Sequence, residues 1–307
     1  MSRKKLQILT LSSGEAALPV LVRQLGEQTF QDFEHEVIAG LPNQAAHNRL
    51  YRTIAERAAS FDLFMKLDAD MTLRGPASLA SAMMAVDEHP EAQHFAFPVW
   101  DCFTEEQTLG VHVFRSGVRW GEITDDLFVD PDPAGVAQML WKGPPAPFVN
   151  HGEVASDFEC FAFGVHKFLK AAQRGRSSDE HSRKAHKYFR HMTNCARIRD
   201  LCRSTHERRH QLALAGVTWA MDHDAVRAMS EKATLREVFE SEILPRETQW
   251  LRRADAMANS LMMWRVALLR SFGLKRTIGA VSGAWKAYGF RTELPLRQDA
   301  GRDDHSL

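Results

Sequence analysis

A short apolar segment that ends in two carboxylates is the feature that most restricts the fold of this chain. Residues 63–67 are mostly apolar, with no helix cap beside them, which predicts a buried strand. Asp68 and Asp70 follow directly and, because they alternate, leave the strand end on the same side. A buried strand does not end in two carboxylates unless something satisfies them. Since open α/β sheets bind ligands at this edge, we expect a site here.

The two aspartates allow two interpretations. Hard oxygen ligands at a strand end suit Mg²⁺ or Mn²⁺ that arrives with a phosphate-bearing substrate. Alternatively, the chain simply turns on two solvated aspartates, because Asp-x-Asp is a common sequence. The surrounding sequence has to decide between a metal site and a surface turn.

Composition excludes several classes of protein. The 307 residues suit either one large α/β domain with appended helices or two domains. The formal net charge is zero, so we expect no nucleic-acid partner. The four cysteines form no Cys-x-x-Cys pair and the first residues lead into no long apolar segment, so we expect a cytoplasmic protein without disulfides or a signal peptide. No uncharged apolar stretch reaches the ~18 residues that a membrane-spanning helix needs.

The elements before the aspartates alternate between strand and helix. Hydrophobic periodicity predicts strands at 6–11, 33–39 and 63–67, with helices at 18–28 and 45–59 between them. This β-α-β-α-β order predicts parallel strands joined by right-handed crossovers. The loops after Leu11, Ala39 and Leu67 should therefore lie at one edge of the sheet, together with the two aspartates.

Three segments of this region carry a family resemblance. They are the helix and turn Leu21-Val22-Arg23-Gln24-Leu25-Gly26-Glu27-Gln28-Thr29-Phe30 before the strand Phe33-Glu34-His35-Glu36-Val37-Ile38, the helix start Ala46-His47-Asn48-Arg49, and Lys66-Leu67-Asp68-Ala69-Asp70-Met71. In this order and spacing, residues 6–75 resemble family 2 glycosyltransferases of the GT-A fold. Two positions depart from that family, which has acidic residues where this chain has Gly40-Leu41-Pro42-Asn43, and Arg where this chain has His47.

The resemblance implies a fold and an activity. The fold would be a GT-A, Rossmann-like α/β domain, with a mostly parallel sheet and Asp-x-Asp at a strand end, followed by a helical C-terminal region. The activity would be transfer of a sugar from a nucleoside-diphosphate donor to a hydroxyl of a glycan or lipid-linked acceptor. A divalent Mg²⁺ or Mn²⁺ on Asp70 would stabilise the leaving diphosphate. The implied donor-binding residues are Ser12, Glu15, Asn43, Asn48 and Asp68, the last through ribose or a metal-bound water.

Two further roles follow from the resemblance. The acceptor hydroxyl needs a general base, and the segment 122–127 is similar to the Glu-Asp-x-x-Leu segment that carries the base in family 2, which indicates Asp126. Asp157 and Glu159 are the second choice; as part of a capping box that begins at Ser156, they would otherwise only complement a helix dipole. His151 lies where many GT-A enzymes take a further metal ligand, and the alternative is a surface histidine that hydrogen-bonds.

Beyond the catalytic domain, composition divides the chain into a helical region and a polar tail. We expect the catalytic domain to cover 1–175, a helical region 176–292, and a polar, disordered tail 293–307. Segment 257–290 mixes bulky apolar residues with Arg and Lys and contains no acid. It predicts either a helix in the interface of an anionic bilayer, which would place the protein at the inner face of the membrane, or a helix that packs on the catalytic domain or on a second subunit.

Two other functions stay open from the sequence alone. Asp68-Ala69-Asp70-Met71-Thr72-Leu73 also fits the haloacid-dehalogenase-like phosphohydrolases, with Asp68 as nucleophile and Asp70 as acid. That fold usually opens with the motif on its first strand, whereas two βα units precede it here. The third reading is a GT-A-like binding protein without catalysis.

Overall fold

The computed structural model describes residues 4–124, 133–141, 148–173, 185–223 and 232–271. Its first part contains β1 (Leu6–Ser12), α1 (Leu18–Gly26), β2 (Phe33–Ala39), α2 (Asn43–Glu56) and β3 (Leu63–Lys66). β1 pairs in parallel with both β2 and β3, which confirms the predicted β-α-β-α-β unit. Leu6, Ile8 and Met65 are fully buried because both faces of these central strands are covered.

The sheet continues through shorter strands. These are β4 (Met71–Leu73), β5 (His94–Asp101), β6 (Glu106–Arg115), β7 (Gln138–Leu140) and β8 (Val149–His151), with helix α3 (Ser78–Glu88) between β4 and β5. The strand order in the described residues is β2-β1-β3-β6-β5-β8-β4, with β7 beside β5. β6 is antiparallel to both β3 and β5, and β4 is antiparallel to β8, while the other four pairings of the described strands are parallel. The predicted α/β fold is confirmed, and its sheet includes antiparallel strands.

The direction of each strand decides which ends meet. β5 is antiparallel to β6, which is antiparallel to β3, so β5 runs in the same direction as β1 and β3. β8 is parallel to β5. The carboxyl ends of β1, β3, β5 and β8 therefore lie at one edge of the sheet, which is the edge where the sequence predicts a site.

A helical region follows the sheet, as predicted. Its elements are α4 (Asp157–Gln173), α5 (Ala185–Thr205), α6 (Arg208–Asp222), α7 (Lys232–Val238), a π-helical segment Phe239–Ile243, a 3₁₀ turn Leu244–Arg246, α8 (Glu247–Asn259) and a final helical segment 261–271. These helices enclose a hydrophobic core of their own, which includes Phe161, Phe168 and Leu214. None of the helices in the described ranges is long and apolar enough to cross a bilayer.

Two glycines bring α4 and α6 into backbone contact. A Cβ atom added to Gly164 would lie 1.8 Å from the carbonyl oxygen of Ala213, and one added to Gly216 would lie 2.1 Å from that of Phe161. No side chain fits at either position. The crossing of α4 and α6 therefore depends on both glycines, and it fixes the helix that covers the site.

Candidate functional site

A cavity of about 380 Å³ opens at the carboxyl edge of the strands, beneath α4 and α5. Its volume is in the range that small-molecule sites occupy. The polar residues that line it from the sheet edge are Ser12, Ser13, Glu15, Asn43, His47, Lys66, Asp68, Asp70, Asp101, Thr108, His112 and His151, and those from the helices are Glu159, His166, Lys167, Lys170, His191 and Asn194. The cavity is therefore lined by residues of both the sheet and the helical region.

His151 lines this cavity and lies between two carboxylates. Its Nε2 atom is 3.1 Å from Oδ2 of Asp70, and its Nδ1 atom is 3.2 Å from Oδ2 of Asp101. Strand pairing sets these distances, because His151 is the register partner of Met71 on β4 and of Asp101 on β5. Gly152 adds a backbone hydrogen bond by donating its N–H to the carbonyl of Asp70, at 2.9 Å.

The two carboxylates determine the charge of the imidazole. Burial alone would lower the pKa of His151, but the charge of Asp70 and the close contacts with Asp101 and Asp70 raise that pKa to about 10. Asp101 is almost fully buried, which by itself raises its pKa, yet the Lys167 ammonium and the contact with His151 lower that pKa to about 2. With no cation bound, the cluster therefore holds an imidazolium between two carboxylates.

Two atoms of the same cluster have the chemistry of ligands for a divalent cation. A metal-binding histidine usually donates its second ring N–H to a carboxylate, and Asp101 occupies that place beside Nδ1 of His151. Neighbouring ligands of one Mg²⁺ ion, each at about 2.1 Å, are about 3.0 Å apart. The Asp70 oxygen and the His151 nitrogen have this separation. Within the part of the chain that the structure describes, no group of three or more His, Cys, Asp or Glu side chains forms a metal site.

Asp68, the first aspartate of the motif, is bound to a lysine of the same strand. Lys66 Nζ lies 2.8 Å from Oδ1 of Asp68, and about a third of the Asp68 side chain is exposed towards the cavity. Lys66 itself is mostly buried. The pair leaves Asp68 at the cavity wall, two positions before Asp70 in the sequence.

The residues predicted to bind the donor separate into two groups. Ser12, Glu15 and Asn43 line the cavity. Glu15 accepts hydrogen bonds from Ser12 Oγ at 2.8 Å and Ser13 Oγ at 2.6 Å, which shapes the loop between β1 and α1. Asn48 does not line the cavity. Its Nδ2 donates to the carbonyl of Ile123 at 3.0 Å, and its Oδ1 accepts from the N–H of Ile123 at 2.9 Å.

The three candidates for the general base also differ in placement. Asp126 lies outside the described residues. Asp157 is outside the cavity lining, where both its oxygens accept from Arg208, at 3.0 and 2.6 Å. Glu159 lines the cavity and completes the predicted capping box, in which its Oε2 accepts from the N–H and Oγ of Ser156, at 2.7 and 2.6 Å.

Sequence reasoning missed two charged residues of the central cluster. Asp101 ends the apolar strand β5 much as Asp68 follows β3, so the sequence carried the same signal at a second place. Lys167 lies on α4, 3.7 Å from Asp101 and 4.5 Å from the ring centre of Phe163. Its position beside the apolar stripe of α4 gives no sign of its partner, which is 66 residues earlier in the sequence and meets it only through the tertiary fold.

Comparison with known proteins gives similar solved structures at low sequence identity. The chain matches no protein-family model and no curated protein. Among solved structures it is similar to S. aureus TarS 1-349 in complex with UDP, at 12% identity and a TM-score of 0.33, over 96% of this chain and 94% of that one. The complex of TarS 1-349 with UDP-GlcNAc gives 11% identity and a TM-score of 0.34, over 82% and 91%.

A third similar structure is A197 from STIV, at 10% identity and a TM-score of 0.30, over 36% of this chain and 64% of that one. The chain also spans only 55% of the longer TarS structure. At such distances, function has to be argued from the residues of the site itself.

Proposed function

We propose that this protein is a metal-dependent glycosyltransferase that moves a sugar from a nucleoside diphosphate to a hydroxyl group of a glycan or lipid-linked acceptor. One observation carries the proposal, which is the Asp70–His151–Asp101 cluster at the edge where the carboxyl ends of four strands meet. That cluster offers a cation one oxygen and one nitrogen ligand at the wall of a cavity in the size range of small-molecule sites.

Each residue of the cluster has a separate task in this proposal. Asp70 and His151 would hold Mg²⁺ or Mn²⁺, ions that also accept water and diphosphate oxygens as ligands. Asp101 is a positioning residue, since it orients the ring of His151 and stabilises the Nδ1–H form. When bound, the cation neutralises charge on the leaving diphosphate. Asp68 lies beside the cation ligands and is placed to meet the ribose or a metal-bound water.

The remaining walls suit an anionic donor. Lys167 and Lys170 line the cavity from α4, and ammonium groups are ordinary phosphate partners. On the opposite wall, Ser12 and Asn43 present a hydroxyl and an amide beside the loops after β1 and β2, where a nucleoside would find hydrogen-bonding partners.

Asp126 is the base that we propose. The oxygens of Asp157 are both bound to Arg208, and those of Glu159 are bound to Ser156 and Ala16, so neither carboxylate is positioned to take a proton without breaking these contacts. Asp126 belongs to segment 122–127, whose resemblance to the base-carrying segment of family 2 glycosyltransferases supports the choice.

Calorimetric titration with a panel of nucleoside diphosphates, with Mn²⁺ or with a chelator, tests the proposal. We expect binding that requires Mn²⁺ and is lost in Asp70→Asn. Release of phosphate from generic phosphomonoesters would instead support the phosphohydrolase. Absence of binding at concentrations of ~1 mM, where the free energy of binding is only about 4 kcal/mol, would support the non-catalytic protein.

A further inference from the structure

The final helical segment, 261–271, has one face in the protein and one in water. Trp264, Leu268 and Ser271 are buried, with exposures of 4%, 3% and 5%, and the first two belong to the core of the helical region. The Arg199 guanidinium lies 5.6 Å from the ring centre of Trp264, and Ser271 Oγ donates to the carbonyl of Met221. The segment is therefore anchored on α5 and α6, with a defined orientation.

The opposite face is apolar. Met262, Val266 and Leu269 are 77%, 39% and 42% exposed, and their i, i+4, i+7 spacing aligns them on the side away from Trp264. We call these three residues the outer ridge. Leu261 and Met263, at 49% and 44% exposure, lie on the two flanks of the segment at its start, each about 100° from the ridge. Single exposed apolar residues are common, but a continuous ridge on a helix usually marks an interaction surface.

Basic side chains flank the outer ridge. At 100° per residue, Arg265 lies on one side of the ridge and Arg270 on the other, and both are exposed. The sequence contains no acidic residue between Asp255 and Glu293, whereas it has six basic ones in that interval, at Arg265, Arg270, Lys275, Arg276, Lys286 and Arg291. The partner of this surface should therefore be apolar at its centre and anionic at its margins.

We propose that the outer ridge inserts into the interface of an anionic lipid bilayer. Met262, Val266 and Leu269 enter the boundary of the acyl chains, while Arg265 and Arg270 meet the headgroup phosphates on either side. Long basic side chains are suited to this position because their stems stay in apolar surroundings and their charged ends reach the phosphates.

A second copy of the chain is a poorer occupant of this surface. If two outer ridges packed face to face, the four flanking arginines would approach each other, and the segment has no acid to pair with them. Like charges brought together at an interface disfavour association. A bilayer of anionic lipids supplies the missing negative charge together with the apolar interior. The proposal concerns a surface outside the cavity and is independent of the transferase activity.

The test uses the full-length protein and sedimentation with two kinds of vesicle. One contains phosphatidylglycerol at about 40% in phosphatidylcholine, a surface that attracts basic side chains, and the other is pure phosphatidylcholine. We expect binding to the anionic vesicles that weakens as salt rises. The double variant Met262→Asp/Leu269→Asp should lower the partition coefficient about tenfold or more, because it places carboxylates in the interface. Met84→Asp is the matched control, since Met84 on α3 is also exposed, at 65%, and lies on another surface.

The other outcomes would overturn the proposal. Equal loss of binding in Met84→Asp, or full binding by the ridge variant, would assign any vesicle binding to another surface. A wild-type dimer in light scattering that the ridge variant converts to monomer would identify a second copy as the occupant. A fall in melting temperature confined to the ridge variant would show that the chain itself covers the ridge. Failure of the wild-type protein to sediment with anionic vesicles would exclude a bilayer as the partner of the outer ridge.

Discussion

Ala16 donates its backbone N–H to Oε1 of Glu159, at 2.8 Å, although the two residues are 143 positions apart. The bond joins the loop after β1 directly to the first turn of α4. Glu159 therefore connects the loop after β1 to the helical region by a hydrogen bond. It also completes the capping box of α4.

This arrangement predicts that Glu159 acts in stability and not as a base. Glu159→Gln keeps an oxygen acceptor and should retain transfer activity, whereas Glu159→Ala should destabilise the protein by about 1 kcal/mol, as the loss of a helix cap does. Thermal unfolding and transfer rates of both variants check this. A loss of about 100-fold or more in the rate of Glu159→Gln, with the fold intact, would instead identify Glu159 as the base.

Asp126 is expected to carry the proton transfer. Asp126→Asn should lower the rate of transfer by about 10²–10⁴-fold, the usual contribution of a general base, and leave donor affinity unchanged. The neighbouring Asp125→Asn is the matched control, since it makes the same change of charge one position earlier. Equal rates for the two variants in an assay under saturating donor would remove Asp126 from the mechanism.

Replacing the carboxylates of the proposed cation site should weaken Mn²⁺-dependent binding to different degrees. Asp70→Asn removes the carboxylate that faces Nε2 of His151 and should abolish Mn²⁺-dependent nucleotide binding without a change in side-chain volume. Asp101→Asn should weaken Mn²⁺ affinity about 10–100-fold, as the loss of a carboxylate behind a metal-binding histidine does. Calorimetry with Mn²⁺ and nucleotide measures both effects. Asp68→Asn is the control, and a loss in this variant equal to that of Asp70→Asn would mean that Asp68 is the principal ligand.

The charge of His151 gives the metal-free protein a dependence on pH. Its pKa is 6.5 in the unfolded reference and about 10 in the fold, so its contribution to stability is complete below pH 6.5 and is lost as pH rises towards 10. We expect the melting temperature of wild type to fall more steeply over this interval than that of His151→Gln. Because a protonated imidazole cannot bind a metal, Mn²⁺ affinity should rise over the same interval. Parallel melting curves for the two proteins would contradict the assignment.

The close contact between α4 and α6 predicts that one added methyl group will strongly lower the stability of the protein. Gly164→Ala should destabilise the protein by about 3 kcal/mol or more, since the added Cβ would overlap the carbonyl oxygen of Ala213. Gly26→Ala is the matched control. Nothing lies within 4 Å of the Cβ that it adds, so this change should be neutral or stabilising by up to about 1 kcal/mol. Denaturant unfolding of the two variants compares them, and similar midpoints would show that the helices separate at little cost.

The first half of the sheet was predictable because its signals are local. The segments that form β1, α1, β2, α2 and β3 each show the period of their structure, and parallel pairing follows from their alternation. The α/β class and the helical region after it are confirmed. The antiparallel pairing of β6 with β3 and β5 was not predicted, because the tertiary fold decides which strands become neighbours. β4, β7 and β8 were not predicted as strands, since each is only three residues long and three residues do not define a period.

Of the charged cluster at the candidate site, sequence periodicity located only the two aspartates that follow β3. Asp68 and Asp70 were visible because carboxylates interrupt an apolar run. Asp101 and Lys167 were not identified, because their partners are set by the order of strands and the position of α4. Asn48 shows the opposite case, in which a residue chosen by family resemblance bonds to the backbone of Ile123 and stands outside the cavity.

The pairing of β4 with β8 has a consequence for how the protein matures. Asp70 and His151 are 81 positions apart, and they meet because Met71 is the register partner of His151. A slip of one residue would turn the His151 ring to the other face of the sheet. During synthesis, Asp70 leaves the ribosome well before His151, so the nascent chain has no complete cation site until this late and distant pairing has formed in the correct register. Cation binding would then report the completion of folding, and chains with misregistered strands would stay inactive.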